Sequence, residues 1–262
     1  MDDRVERVKH EVERIIKDAG EIVLNYFARS KELVHHTKDK AGFFTEADVQ
    51  TEQFLIKKLN QLFPEAAICA EESGNTGQSE YCWVIDPIDG TTNFAHGLPH
   101  FCISIALTQN HNPIFGMIYS PVLDELFWAE TGKGAWLNDT KISVTSTETF
   151  EDSLLVVGFP YKGIDGEYAR FMEHVSTIGP QAYTFRNLGA AALDLAYTAC
   201  GRFDAIFCSR MQWWDFAAGA LLIKEAGGVI TDFEGASLSK DSASFAAGGA
   251  LVHKRLLELL SK

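Results

Sequence analysis

The chain has 262 residues, of which 46% are hydrophobic and 23% charged, which is enough apolar material for one large domain or two closely packed halves. Its formal charge of −13 and isoelectric point near 5.0 argue against broad binding to nucleic acid or to an anionic membrane. Five cysteines without CxxC spacing predict reduced thiols, and the lack of an apolar leader or membrane-spanning run predicts a cytoplasmic protein.

The first half begins with helical patterns and continues as strands. Apolar residues at helical spacing predict a long amphipathic helix over 5–27 and a second helix over 45–63, which Pro64 ends. A polar, glycine-containing connection over 35–44 separates them. Aromatic and β-branched runs then predict strands at 67–70, 81–85, 101–107, 114–119 and 125–129, with a later turn at Asn138 and Asp139.

The second half mixes strands and helices in the same way. The pattern predicts strands at 154–158, 183–186, 204–208 and 229–233, and helices at 190–199 and 216–226. Because helices and strands come in blocks and do not alternate strictly, an α+β layered sandwich is favoured. We expect a single domain, 1–262, built from two packed halves at about 1–145 and 146–262.

The segment WVIDPIDGTTNFAHG, residues 83–97, is the strongest candidate for a functional site. Asp86 and Asp89 follow an apolar strand, and Pro87 stiffens the backbone between them. Gly90 permits a close backbone approach, after which Thr91 and Thr92 offer N–H donors at the start of a short helix, a setting that suits phosphate. The simpler interpretation is an Asp-Pro turn closed by glycine.

Three further carboxylate positions complement this segment. Glu71, followed by Glu72, stands at the end of a short apolar strand, although an acidic surface turn is an equal alternative. Asp48 in TEAD forms a plausible capping box with Thr45. Asp215 in WWDFAAG opens a helix of small residues, where it could be only an N-cap.

These carboxylates repel each other if they are brought together. Two of them about 4 Å apart repel by roughly 4 kcal/mol at an effective dielectric of 20. Divalent cations between the carboxylates turn this repulsion into a net attraction. They also attract a phosphate dianion and lower the pKa of a bound water. The residues therefore predict direct hydrolysis by water without a phosphoenzyme.

The segments TEAD, AEES, WVIDPIDGTTNFAHG and WWDFAAGALLIKEAGG together resemble the inositol monophosphatase family of magnesium-dependent, lithium-sensitive phosphatases. Their order and spacing agree over nearly the whole chain. The resemblance implies the layered αβαβα sandwich that the family shares with fructose-1,6-bisphosphatases, commonly as a homodimer.

The resemblance also implies ligands for two or three Mg²⁺ ions. Glu71, Asp86 and the Ile88 carbonyl would hold the first ion, and Asp86, Asp89 and Asp215 the second. A third, weaker ion would lie near Glu71 and Asp48. These oxygen donors, with no His or Cys among them, suit Mg²⁺.

The catalytic residues implied by the resemblance are Asp48, Thr91 and Glu71. Thr91 would pair with Asp48 to orient the attacking water. The backbone of Gly90, Thr91 and Thr92 would bind the phosphate.

The substrate side of the site departs from the family pattern. Cys208 stands where many inositol-preferring members carry a Glu, and Arg210 adds a positive group that suits a second phosphate or a larger anion. Arg186, Gly189 and Ala191 lie where family members contact the sugar or polyol.

The expected substrate is a small phosphorylated polyol, with inositol 1-phosphate first. NADP, fructose 1,6-bisphosphate and 3′-phosphoadenosine 5′-phosphate are alternatives. An alternative of another class is a catalytically silent regulatory partner.

Overall fold

The helices of the computed structural model form three separate layers. The structure describes residues 3–30, 36–37, 43–160 and 166–261. No helix in these ranges is both long and apolar enough to cross a membrane. The helices are α1 (Asp3–Phe27), α2 (Glu46–Leu62), α3 (Thr91–Ala95), α4 (Glu167–Ile178), α5 (Ala191–Ala199), α6 (Trp213–Glu225) and α7 (Ala250–Leu260).

An eight-stranded sheet dominates the first half of the described chain, and a two-stranded antiparallel pair, β1 (His36–Thr37) and β2 (Phe43–Phe44), precedes it. The strands of the large sheet are β3 (Ala67–Ala70), β4 (Gly74–Thr76), β5 (Tyr81–Asp89), β6 (Cys102–Gln109), β7 (Asn112–Ser120), β8 (Glu125–Glu130), β9 (Gly134–Leu137) and β10 (Thr140–Ile142). Their order is β10-β9-β8-β7-β6-β5-β3-β4. Neighbours are antiparallel except β3 and β5, which run parallel and therefore end at the same edge.

A five-stranded sheet lies in the second half. Its strands are β11 (Leu154–Gly158), β12 (Thr184–Arg186), β13 (Ala205–Ser209), β14 (Val229–Thr231) and β15 (Ser244–Gly248), in the order β12-β11-β13-β15-β14. β11 is parallel to both β12 and β13, whereas β15 is antiparallel to both of its neighbours.

Three apolar cores hold the layers together. Helices α1 and α2 pack on the outer face of the large sheet, α5 and α6 lie between the two sheets, and α4 and α7 cover the five-stranded sheet. At Gly116 on β7, a Cβ would lie 3.0 Å from the Cα and carbonyl oxygen of Ala218 on α6, so only glycine allows this close approach. The order of layers is αβαβα, as predicted; the division into halves at about residue 145 stays a prediction.

The structure corrects several predicted boundaries. Strand β5 continues through Pro87 to Asp89 and does not end at Ile85; the ladder with β6 shifts register between Asp86 and Asp89, where a bulge tolerates proline. Helix α6 starts at Trp213, three residues before the predicted start. Helices α4 and α7 and strands β4, β9, β10 and β15 were not predicted. Much of the 35–44 connection lies outside the described residues.

Candidate active site

The first acidic group lies where the parallel strands β3 and β5 end. The backbone N–H of Glu71 donates to the Ile85 carbonyl at 3.2 Å, which fixes Glu71 beside the end of β5. Asp86 is 2% exposed, and its Oδ1 accepts the Ile88 N–H at 3.1 Å, which closes the bulged turn. Asp86 therefore has a rigid backbone and a buried carboxyl group.

Asp89 joins the first half of the chain to the second. Its Oδ1 accepts the Ala191 N–H at 3.0 Å, and its Oδ2 accepts those of Ala192 and Leu193 at 2.8 and 3.2 Å. These donors are the first N–H groups of α5, which have no partner within the helix. Asp89 thus satisfies the start of a helix about one hundred residues later, where the positive end of the helix dipole favours an anion.

Asp48 both caps a helix and contacts the active-site segment. Its Oδ2 accepts the backbone N–H and the hydroxyl of Thr45, each at 2.7 Å, in a capping box. Its Oδ1 accepts the Thr91 hydroxyl at 3.1 Å. The same hydroxyl lies 3.0 Å from the Ile88 carbonyl oxygen, so its one proton has two alternative acceptors. The capping role and the pairing with Thr91 are both present.

Asp215 approaches from the middle helix layer. It lies in the first turn of α6, where its carboxylate accepts the Gln212 N–H at 2.6 Å. It occupies the third helical position, and Gln212 is the N-cap. The two residues form a capping box, the arrangement that Thr45 and Asp48 make at α2, so Asp215 takes part in the cap without being the N-cap itself.

Burial, followed by mutual repulsion, raises the pKa values of the carboxyl groups in this cluster. Burial raises the pKa of Asp86 well above 3.8, and the neighbouring carboxylates of Glu71, Asp89 and Asp215 raise it further. Burial also raises the pKa of Asp48 to about 6. Ionisation of Asp86 and Asp48 is therefore disfavoured without a compensating positive charge.

Sequence reasoning missed a buried His–Asp pair beside Asp89. Asp194 is 1% exposed, and its Oδ1 lies 3.0 Å from the His100 Nε2. Burial, followed by the charge of Asp194, raises the pKa of Asp89 to about 6, against the helix N–H groups that lower it. A lone acidic residue in the apolar helix sequence AALDLAYTA was the available signal.

Glu52 is a second missed residue, and it shapes the turn after β3. It is 2% exposed, and its two carboxylate oxygens accept the backbone N–H groups of Glu72 and Ser73, each at 2.8 Å. These bonds fix the residues immediately after Glu71.

Five of the acidic residues, Glu71, Asp86, Asp89, Asp194 and Asp215, line one cavity of about 700 Å³. Of the residues proposed from the sequence, those on its wall are Glu71, Asp86, Ile88, Asp89, Gly90, Thr91, Thr92, Gly189, Ala191, Arg210 and Asp215. Asp48 lies behind Thr91 and is fully buried.

Two proposed substrate residues are not on this wall. Cys208 is fully buried against Gly158. A Cβ placed on Gly158 would lie only 2.6 Å from the Cys208 sulfur. Arg186 is exposed, and its guanidinium donates to the Phe185 carbonyl and the Thr184 hydroxyl. Their roles in specificity stay predictions.

The donor set suits a hard divalent cation. All the proposed ligands are oxygens, and the nearby Cys102 thiol, which donates to Asp89 at 3.5 Å, has a pKa that burial raises well above 9.0, so it stays protonated. Within the described ranges, no three Asp, Glu, His or Cys side chains are already placed so that they could hold one metal ion together. Backbone N–H groups hold Asp89 and Asp215, so cation binding competes with these bonds.

Comparison with known proteins shows the family of this chain. The model of the inositol monophosphatase family matches residues 4–262. An inositol-1-monophosphatase of Synechocystis is 39% identical over 232 residues, covering 86% of this chain and 79% of the relative. Nus factor SuhB of Pseudomonas aeruginosa is 38% identical over 250 residues, covering 93% of this chain and 92% of the relative.

A solved structure shows the same fold. The extragenic suppressor protein suhB from Bartonella henselae superposes with a TM-score of 0.93 at 33% identity, covering 98% of this chain and 99% of that one. The layered fold and the family model are those of phosphatases. The chain belongs to the inositol monophosphatase family.

Proposed function

We propose that this protein is a Mg²⁺-dependent phosphomonoesterase that hydrolyses a small phosphorylated polyol, with inositol 1-phosphate as the first candidate. One observation carries the proposal: Glu71, Asp86, Asp89 and Asp215 line the same cavity as the backbone of Gly90 and the residues after it. An acidic cavity alone would repel a phosphate, so the proposal requires cations.

Glu71, Asp86, the Ile88 carbonyl, Asp89 and Asp215 are the residues that would hold Mg²⁺. The ion would neutralise the cluster, attract the phosphate dianion and acidify a water molecule. The raised pKa of Asp86 supports this role, because a cation favours the ionised carboxylate, which burial and the neighbouring carboxylates disfavour.

The start of α3 would receive the phosphate. Gly90 has a φ of 90°, in the left-handed region, and is the N-cap of α3. Its added Cβ would lie 3.0 Å from the Ala190 Cβ and the His100 carbonyl oxygen, so glycine is required here. The first N–H groups of α3 have no partner within the helix, and the residues that carry them, Thr91, Thr92 and Asn93, line the cavity.

Thr91 and Asp48 would orient the attacking water. When the Thr91 hydroxyl donates to Asp48, its oxygen can accept a hydrogen bond from a water in the cavity. Asp48 holds Thr91 in place, and the capping box holds Asp48. This chain of bonds fixes the direction of one O–H bond of the water.

The experiment is phosphate release from inositol 1-phosphate, NADP, fructose 1,6-bisphosphate and 3′-phosphoadenosine 5′-phosphate, with Mg²⁺ titrated and with chelator. We expect release that requires Mg²⁺ and is lost in Asp215→Asn, whereas Asp241→Asn, an exposed carboxylate in a loop, retains it. Release that persists in chelator would contradict the metal role. No release from any of the four compounds would favour a regulatory binding role. A stronger preference for NADP would change the substrate but not the chemistry.

Other expectations from the family resemblance stay predictions. They are a homodimer, inhibition by lithium, a cytoplasmic location and the absence of nucleic-acid and membrane partners.

A further inference from the structure

A second cavity, of about 730 Å³, opens next to the acidic one. It lies between α4, the ends of β13 and β15, the turn after β14 and the end of α7. None of the carboxylates proposed to hold metal lines it. The second cavity therefore has a chemistry of its own.

Arg210 lines both cavities. It lies in the short segment between β13 and α6, five residues before Asp215. Its φ of 63° is in the left-handed region, which costs a residue with a Cβ about 1–2 kcal/mol. The other described non-glycine residues with positive φ are Asn, Asp or His, which tolerate it better. The fold thus holds an arginine at the junction in a conformation that disfavours it.

Arg210 forms an ion pair with Glu167, the first residue of α4. Its guanidinium lies 3.0 Å from the Glu167 carboxylate, and both side chains are partly exposed, at 43% and 33%. Exposed ion pairs contribute about 0–1 kcal/mol, so an incoming anion can displace Glu167 at little cost. Arginine binds phosphate oxygens with two parallel hydrogen bonds. This contact is at least as strong as the exposed ion pair between Arg210 and Glu167.

The rest of the second cavity combines positive and apolar groups. Arg170, one turn after Glu167 on α4, adds a second guanidinium, and Glu234 is the other carboxylate on the wall. His174 and Phe233 pack edge to face at 5.9 Å and form an apolar side. The Ser209 hydroxyl is buried and has no hydrogen-bond partner among the described residues. An organic anion matches these groups better than a free inorganic ion, which has no apolar part.

We propose that the second cavity is an accessory subsite for the far end of an extended phosphomonoester that carries a second anionic group. The scissile phosphate lies in the acidic cavity, and the second anion binds at Arg210 and Arg170. This inference rests on the proposed phosphatase function and narrows its substrate class from any small polyol phosphate to substrates with two anionic ends.

The test compares two substrates with the same scissile 3′-phosphate, 3′-phosphoadenosine 5′-phosphate and adenosine 3′-monophosphate. In the wild type we expect a lower KM for the bisphosphate. Arg170→Gln should reduce the ratio of the monophosphate KM to the bisphosphate KM by roughly 10-fold, which is the effect of losing one charge-assisted hydrogen bond. Arg170 does not line the acidic cavity, so the kcat/KM of the monophosphate should not change.

Two further variants make the test specific. Glu167→Gln frees Arg210 and should change the KM ratio in the opposite direction, in favour of the bisphosphate. Arg14→Gln removes the same charge from the exposed face of α1 and should leave the ratio unchanged.

Equal KM values for the two nucleotides in the wild type would overturn the subsite. Equal effects of Arg170→Gln and Arg14→Gln would also overturn it, as would hydrolysis of inositol 1-phosphate but of neither nucleotide. If the protein hydrolyses no phosphomonoester at all, the proposed function has failed separately. Calorimetric binding of the bisphosphate then decides the subsite: weaker binding to Arg170→Gln than to Arg14→Gln supports it, and equal binding overturns it.

Discussion

Replacing Asp48 by asparagine should stabilise the metal-free protein and abolish its hydrolysis. The amide fits the existing contacts. Its oxygen can accept the two Thr45 donors, while its NH₂ group donates to the Thr91 oxygen and the Thr91 hydroxyl turns to the Ile88 carbonyl. The substitution therefore removes a buried charge without leaving a polar atom unpaired.

The size of the stabilisation follows from the pKa. Burial raises the pKa of Asp48 from 3.8 to about 6. At about 1.4 kcal/mol per pH unit, the ionised group costs the folded state at most about 3 kcal/mol above pH 6. We expect the free energy of unfolding to rise by about 1–3 kcal/mol at pH 7.5, which corresponds to roughly 3–10 °C in Tm for a chain of this size.

The pH dependence identifies the cause. The folded pKa of Asp48 lies above the unfolded value, so the folded state binds more protons between pH 3.8 and about 6 and loses stability as the pH rises through this window. The gain from Asp48→Asn should therefore be near zero below about pH 4 and complete above about pH 6.5.

Thermal and urea unfolding in chelator, between pH 4 and pH 7.5, measure this effect. Asp241→Asn, which removes an equal charge at an exposed site, is the matched control and should be neutral. A variant less stable than the wild type at pH 7.5, or equally stabilised at both ends of the pH range, would refute the reasoning. Phosphate release by Asp48→Asn at the wild-type rate would refute the role of Asp48 in orienting water.

Three other substitutions test separate parts of the site. Asp89→Asn should abolish Mg²⁺-dependent phosphate release, because an amide is a weaker cation ligand than a carboxylate; normal turnover would contradict its ligand role. Glu52→Gln should raise the Mg²⁺ concentration for half-maximal activity about 10-fold while circular dichroism stays unchanged, because the turn beside Glu71 loosens; an unaltered Mg²⁺ titration would show that the turn does not matter. Gly90→Ala should lower Tm and raise KM, because its φ is +90° and the Ala190 Cβ lies within 3.0 Å of the new methyl group; a normal KM would argue against phosphate binding there.

Local patterns predicted much of the fold. The prediction of β3 at 67–70 matches the structure, and α2 differs from its prediction by one residue at each end, because the capping box and Pro64 are local signals. The boundary of β5 was wrong because Asp-Pro is typical of turns, whereas here a bulge next to β6 keeps the strand going. Helix α4 carries Phe171, Val175 and Ile178 on its buried face, a readable period that the sequence reasoning did not use.

The site was harder to predict than the fold. The individual carboxylates were visible as motifs, and their alternative interpretations as caps were also partly correct, since Asp48 and Asp215 each take part in a capping box. Local sequence does not show that Asp48 meets Thr91, 43 positions away, or that Asp89 holds the start of α5. These contacts depend on how the layers stack. Glu52 and Asp194 were missed for the same reason.

The bonds from Asp89 to α5 have a consequence for synthesis of the protein. A ribosome releases the chain from its N-terminus, so β5 emerges long before the helix that Asp89 holds, and Asp215 emerges later still. Until then, Asp89 has neither its helix nor its companion carboxylate. The nascent chain therefore cannot assemble this reaction centre early, and the onset of phosphate release during translation would mark the moment at which the last layers dock.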